Sequence, residues 1–197
     1  MSFPSYLATG RRVGLCPVTP ADGPEFTARA RESRALHAPW LFPPATIEEY
    51  EPYAARLAGG EGRAGFLVRE LDGGALAGFV NVNNIVHGAF RCGALGYGAF
   101  AHAAGRGLMG EALDLVLARA FAPQERGGLG LHRLEANIQP GNTASLALVR
   151  GRGFRLEGLS PDFLHVDGAW RDHERWAVTA DMCADARPPG PATGGFA

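Results

Sequence analysis

The chain has 197 residues and a hydrophobic content of 46%, which is enough to fill the core of one α/β domain, so a second domain is not required. Its formal net charge of −1 provides no overall attraction to nucleic acid or to an anionic membrane, and we expect neither partner. Apart from histidine, every basic residue is arginine, and the lack of lysine excludes a Walker-type phosphate loop and Schiff-base chemistry.

Three cysteines, Cys16, Cys92 and Cys183, stand far apart in the sequence. Their odd number and wide spacing match neither a disulfide framework nor a CxxC metal site, so we expect reduced thiols and no bound metal. The N-terminus lacks a basic segment followed by an apolar one, and no window reaches membrane-spanning length. We therefore expect a cytoplasmic protein.

The first part of the chain predicts one strand and two helices. Residues 13–18 favour a strand, and Thr19 opens a helix that runs toward Arg34. The prolines of residues 37–44 exclude regular structure there. Thr46 then caps a second helix.

The middle of the chain has the pattern of β-strands. Residues 65–71 and 75–82 predict a hairpin, with the Asp-Gly-Gly sequence of residues 72–74 as its turn. We predict that residues 83–90 are irregular and that residues 95–100 form a third strand.

A helix is predicted after Gly107, because apolar residues recur there at helical spacing: Leu113, Val116, Leu117 and Ala120. Residues 133–138 predict the next strand. Asn142 then caps a short helix that ends near Arg150.

The end of the chain predicts a hairpin of residues 154–166 and 169–180, with Asp-Gly at its turn. The Pro- and Gly-rich residues 183–197 predict a disordered tail. We therefore place a single domain at residues 1–182.

A glycine-rich loop at residues 104–110 joins a predicted strand to a predicted helix, so its backbone N–H groups can converge on an anion. Gly105 and Gly107 let a phosphate approach the backbone, and Arg106 can add a charged contact. The loop has the G-x-G-x-x-G spacing, but no acidic residue follows it about 20 positions on at a strand end, as a dinucleotide fold requires. By its own chemistry the loop predicts only an anion site.

The segments around this loop resemble GNAT-type acetyltransferases, and more narrowly the RimJ/RimL branch of ribosomal-protein alanine N-acetyltransferases. The resemblance spans roughly residues 13–181, and the order of the motifs is more specific than any one of them. The matching segments are residues 83–90, Leu95-Gly-Tyr, residues 105–112, residues 132–136, Asn142-Thr-Ala-Ser, Gly153-Phe154 and residues 167–173.

The resemblance implies an α/β fold of the α+β kind, with helices flanking a mixed, mostly antiparallel sheet that splays between the strands at Leu95 and Arg133. Acetyl-CoA is expected in that opening as the co-substrate. Its pantetheine arm is expected on the backbone of Tyr97, Gly98 and Ala99 and on Asn142. Its pyrophosphate is expected on the glycine loop, namely Gly105, Arg106, Gly107, Leu108, Met109 and Gly110.

Two positions depart from the family pattern. Ala104 stands where Gln or Arg is common, and Val149 occupies the position of the usual tyrosine general acid. By the same resemblance, Ser145 is the candidate that protonates the departing thiolate. His87 is our candidate base, with a solvated loop histidine as the alternative.

Trp40, Phe42 and Tyr53 are expected to form the wall of the acceptor pocket, since the family closes over its substrate with the segment before the sheet. Residues 170–173, at the last hairpin, have packing and a surface ion pair as their simpler interpretation.

The acceptor expected from the resemblance is the N-terminal amine of a protein, with a ribosomal protein as the typical target. Two alternatives stay open: an enzyme that acetylates a small amine such as an antibiotic or polyamine, and a non-catalytic acyl-CoA-binding module. The oligomeric state is also open, with a homodimer as one alternative.

Overall fold

The computed structural model describes residues 5–60 and 62–185. Its strands are β1 (Ala8–Thr9), β2 (Val13–Pro17), β3 (Ala64–Glu70), β4 (Leu76–Val86), β5 (Cys92–Ala99), β6 (Arg133–Ile138), β7 (Arg155–Val166) and β8 (Ala169–Thr179). Its helices are α1 (Gly23–Glu32), α2 (Arg34–His37), α3 (Ile47–Ala58), α4 (Leu108–Phe121), α5 (Thr143–Arg150) and α6 (Ala180–Asp185).

All eight strands form one sheet in the order β1-β2-β3-β4-β5-β6-β8-β7. Every neighbouring pair is antiparallel except β5 and β6, which are parallel. This confirms the expected mixed, mostly antiparallel sheet with flanking helices.

The parallel pairing of β5 and β6 is short. It joins only four residue pairs, from Cys92 with Arg133 to Leu95 with Ala136. Both strands continue beyond these pairs, to Ala99 and to Ile138. The sheet is therefore open at its centre beyond Leu95, as the splayed fold requires.

A buried apolar core lies on each face of the sheet. On one face, α4 and α5 pack against the sheet through residues such as Leu113, Val116 and Val149. On the other face, α1 and α3 contribute Phe26 and Tyr50. Successive residues of β3 alternate between the two cores, as the pleat of a strand requires.

Most local predictions are confirmed. The hairpin turns at residues 72–74 and 167–168 are present, and positive φ angles of 75° at Gly73 and 72° at Gly168 explain the need for glycine there. β6 has the predicted bounds, and the Asn142 side chain caps α5 by accepting from the Ser145 N–H at 3.1 Å.

The expected irregular segment at residues 83–90 is wrong in part, because β4 continues to Val86 and pairs with β5 as far as Cys92. The register shifts between Asn83 and Val86, and Asn84 has a φ of 52°. A bulge thus lets two asparagines, which disfavour strands, remain in the pairing.

Two further boundaries differ from the predictions. The expected helix from Thr19 to Arg34 is divided, since α1 ends at Glu32 and α2 extends into the Pro-rich segment as far as His37. At the other end, α6 includes residues 183–185, and residues 186–197 lie outside the described part of the chain. Among the described residues, no helix has the length and apolar character needed to cross a membrane.

Candidate active site

The opening in the sheet contains a cavity of about 120 Å³. It lies between the ends of β5 and β6 and receives side chains from the flanking segments as well. Its polar lining includes Tyr97, Asn137, Asn142, Ser145 and His173. The opening therefore gathers hydroxyl, amide and imidazole groups from β5, β6, α5 and β8.

The backbone of β5 presents alternate residues to this opening. The Phe100 N–H donates to the Ala77 carbonyl of the β4 side at 2.9 Å, so the main-chain groups of Gly98 also point toward β4 and those of Tyr97 and Ala99 point the other way. Gly98, expected from the sequence to bind a ligand through its backbone, is therefore occupied in the sheet. Tyr97 keeps both of its main-chain groups for a ligand, and Ala99 keeps its N–H.

The carbonyl of Ala99 has a partner from α2. It lies 2.7 Å from Nε2 of His37, whose ring is 4% exposed and packs near Phe79 and Phe100. Because burial lowers the pKa of His37, the ring is neutral at neutral pH and donates its Nε2–H to this carbonyl. His37 thus connects α2 to the edge of β5.

Tyr97 and Ser145 meet inside the opening. The tyrosine hydroxyl lies 2.5 Å from Oγ of Ser145, and burial raises the pKa of Tyr97 to about 12. The tyrosine consequently keeps its proton at neutral pH. Val149, where the resemblance places a tyrosine acid, is fully buried in the core. The opening receives the hydroxyl of Tyr97 from β5 instead.

The glycine loop has the open geometry that an anion needs. Gly105 and Gly107 have φ angles of 73° and 76°, and a Cβ added at Gly105 would have no neighbour within 4 Å. Gly107 is the N-cap of α4 and has no side chain to satisfy the first-turn N–H groups, including those of Leu108, Met109 and Gly110. These donors are available to a ligand.

The guanidinium of Arg106 is paired with a carboxylate and is not free to bind an anion at this loop. It forms two hydrogen bonds to Glu70, at 2.7 and 2.6 Å, and these bonds lower the pKa of the Glu70 carboxyl. A phosphate contact from Arg106 would require this pair to separate. The sequence gives no sign of the pair, because the partners are 36 residues apart.

Arg12 holds the loop against β2. Its guanidinium donates to the carbonyls of Arg106 and Gly107 at 3.0 and 3.3 Å, and its Nε forms an ion pair with Glu111 at 3.1 Å. These contacts use loop carbonyls and leave the N–H groups of the loop for other partners.

A second and larger cavity, of about 760 Å³, lies on the face covered by α1 and α3. Phe42 and Tyr53, expected as acceptor residues, line it, and the Tyr53 hydroxyl donates to Oδ1 of Asn81 at 2.9 Å. It shares Gly96 and Tyr97 with the opening in the sheet. We call this space the acceptor cavity.

Trp40 lies in the opening instead of the acceptor cavity. Its ring packs on Gly141, where an added Cβ would come within 2.9 Å of the indole. The connection between α2 and α3 therefore reaches across to the loop that follows β6.

The structure does not bring His87 to Ser145. His87 lies at the turn between β4 and β5 and lines a separate cavity with Arg91, Gln124 and Leu131, beside the opposite end of the β5–β6 pairing. His173 lies in the opening instead: it is 4% exposed, lines the cavity, and its Nδ1 lies 2.8 Å from the Arg171 carbonyl. This bond assigns the proton to Nδ1 and leaves Nε2 as an acceptor.

The same sheet, opening and glycine loop characterise a known family. The sequence model of one protein family, the acetyltransferase (GNAT) domain, matches residues 12–155. The chain belongs to the GNAT acetyltransferases.

Relatives of this GNAT domain include enzymes that modify ribosomal proteins. It is 38% identical to the [ribosomal protein uS5]-alanine N-acetyltransferase of Escherichia coli over 104 residues, which are 53% of this chain and 51% of that protein. It is 34% identical over 103 residues to the probable N-acetyltransferase YjcK of Bacillus subtilis, covering 52% of this chain and 54% of that protein. The chain thus spans about half the length of the curated relatives that it matches.

Solved structures extend the likeness to most of the GNAT domain. RimJ of Mycobacterium smegmatis, solved in complex with CoA-disulfide, superposes with a TM-score of 0.77 at 30% identity, over 86% of this chain and 82% of that one. A ribosomal-protein-S5-alanine acetyltransferase from Vibrio fischeri has a TM-score of 0.76 at 23% identity, over 92% and 98% of the two chains, and supports the fold alone.

Proposed function

We propose that this chain transfers the acetyl group of acetyl-CoA to the N-terminal α-amine of a protein, with an alanine-starting ribosomal protein as the acceptor. The observation that carries the proposal is the Tyr97–Ser145 hydroxyl pair in the opening, with the glycine loop on one side and the acceptor cavity on the other. The named activity of the uS5 relative and the CoA complex of RimJ support the same assignment. Such an acceptor would place the protein in the cytoplasm.

The residues of the opening fit acetyl-CoA. The first-turn N–H groups of α4 and the open space at Gly105 suit a pyrophosphate, and the outward main-chain groups of Tyr97 together with the Ala99 N–H suit the amides of a pantetheine arm. Asn142 retains its NH₂ group for the same arm, since its Oδ1 caps α5. When bound, acetyl-CoA supplies the acetyl group as a thioester, whose C–S bond breaks as a C–N bond forms to the amine.

Ser145 supplies the proton that the departing sulfur takes up. Its hydroxyl can donate to the sulfur while it accepts from the protonated Tyr97 hydroxyl at 2.5 Å. This two-residue arrangement explains how the site can work with valine at position 149, where the family commonly has its tyrosine acid.

His173 takes the proton that the amine loses. Its Nε2 is free to accept because Nδ1 donates to the Arg171 carbonyl, and it lines the same opening as Ser145. A peptide α-amine has a pKa of about 8, so a substantial fraction is already neutral at neutral pH and the demand on the base is modest. Positioning of the two reactants supplies much of the remaining acceleration.

The direct test combines purified protein and acetyl-CoA with peptides that begin with Ala or Ser, and in parallel with spermidine. We expect thiol release with the peptides, mass spectrometry that locates the acetyl group on the α-amine, and slower turnover in Ser145→Ala and Tyr97→Phe. A peptide with a blocked N-terminus and an internal lysine is the control. Turnover of spermidine alone would establish the small-amine alternative. Binding of acetyl-CoA with no release of the CoA thiol in the presence of any of these acceptors would establish the binding module.

A further inference from the structure

Charged side chains on the wall of the acceptor cavity bear on which N-termini the enzyme accepts. Resting on the proposed function, we propose that the acceptor cavity selects peptides that carry a carboxylate within the first few residues after the reacting α-amine. The residues that would bind this carboxylate are Arg34 on α2 and Arg56 on α3, which both line the cavity.

Both arginines line the acceptor cavity, Arg34 from the start of α2 and Arg56 from the last turn of α3. Among the described residues, neither guanidinium forms an ion pair. Their charges are thus not neutralised within the fold, in contrast to Arg106 and Arg69, which bind carboxylates.

Among the described residues that line the acceptor cavity, Glu49 is the one carboxylate, and hydrogen bonds hold it at the start of α3. Oε2 of Glu49 accepts from the N–H of Ala45 at 2.7 Å and from the N–H of Thr46 at 3.3 Å, as part of the capping box of α3. The remaining titratable wall residues are neutral at neutral pH, since burial lowers the pKa of His37 and raises the pKa of Tyr53 and Tyr97 to about 12. The wall therefore has a net positive charge.

The position of these charges gives the acceptor a direction. The acceptor cavity meets the opening at Gly96 and Tyr97, where the reacting amine must lie, and the arginines line the helical part of its wall. Phe42, Pro43 and Pro44 give the same wall an apolar part, suited to the side chains of an extended peptide. A carboxylate a few residues from the amine can then reach a guanidinium, which binds it with a bidentate fork.

The same charges disfavour a polyamine. A second ammonium group near Arg34 and Arg56 would meet like charge, because the single carboxylate of Glu49 offsets only one of the two guanidinium charges. The two guanidinium groups are exposed, so we expect a preference of roughly two- to fivefold for each charge pair, and a weaker preference at high salt.

The test is kcat/KM for a series of alanine-starting peptides in which one Glu is moved from the second to the fifth position, with Gln and Lys in its place as matched peptides. We expect kcat/KM to fall in the order Glu, Gln, Lys at one or more peptide positions. We also expect the ratio of kcat/KM between the Glu and Gln peptides to be smaller in Arg34→Gln and in Arg56→Gln. Arg29→Gln is the control, since Arg29 lies on α1, pairs with Glu32 and does not line the acceptor cavity.

Equal kcat/KM for Glu and Gln at every position in the wild type, or an equal narrowing in Arg29→Gln, would overturn the inference while the neutral peptides still report acetyl transfer. Failure of every peptide, the neutral ones included, would instead overturn the proposed function. If one arginine variant does not fold, the other variant and the salt dependence of the wild-type ratio decide the question.

Discussion

At the scale of single residues, the site depends on side chains that are distant in sequence. Asn142 was identifiable as the residue that caps α5, a feature that a few neighbouring residues determine, whereas the role of Ser145 came from the resemblance. The hydroxyl of Tyr97 joins Ser145 from 48 residues away, and only the folded sheet brings them together. Local patterns therefore predicted neither the Tyr97–Ser145 contact nor the place of His173 in the opening.

The two histidine assignments are separable by substitution. Because His173 lines the opening, we expect His173→Gln to lower kcat by roughly 10- to 100-fold with little change in the KM for acetyl-CoA. His165→Gln is the control, as its ring packs on Trp170 in the same hairpin outside the opening. A loss of kcat in His87→Gln, with His173→Gln unaffected, would return the role of base to the residue favoured by the sequence.

At the scale of elements, those that end in strong local signals were predicted well. α4 follows Gly107, α5 follows Asn142, and β7 and β8 are joined by Asp167 and Gly168, each of which needs only its neighbours to act. The continuation of β4 past Asn83 depends on pairing with β5, and no local property of the asparagines predicts it. The splay of the sheet between the strands at Leu95 and Arg133 likewise came from the resemblance and not from periodicity.

The glycine loop can be tested with two glycines of the same conformation. In Gly105→Ala, a side chain at a φ of 73° costs roughly 1 kcal/mol and its Cβ enters the space left for the ligand, so we expect lower stability and weaker CoA binding. Gly74→Ala places the same strain at a φ of 71° in the β3–β4 turn. Calorimetry should show similar thermal losses in both, and weaker CoA binding in Gly105→Ala alone; equal loss of binding would exclude a local role for the loop.

At the scale of the whole molecule, the sheet separates two binding regions and connects them at one place. The glycine loop and α5 lie on the face packed by α4, and the acceptor cavity lies on the face packed by α1 and α3. The opening beyond Leu95 is where the two regions meet. The resemblance predicted a cofactor site and an acceptor pocket but not that they lie on opposite faces of the sheet, and the charges on the acceptor side became apparent only from the residues that line the cavity.

Four residue pairs between β5 and β6 join the two halves of the sheet, β1 to β5 on one side and β6 to β8 on the other. The strength of this junction bears on how far the halves can move relative to each other. Apart from the two-pair β1–β2 ladder at the edge, this parallel junction is the shortest ladder of the sheet, so its amide protons should exchange with deuterium faster than those of the six-pair β3–β4 ladder. A ligand that binds along β5 and α5 would join both halves and slow this exchange. Hydrogen–deuterium exchange across residues 92–95 and 133–136, with and without CoA, measures the effect. Unchanged exchange at this junction on CoA binding would mean that the halves are already rigidly joined; protection confined to it would mean that the cofactor serves as part of the protein's mechanical framework.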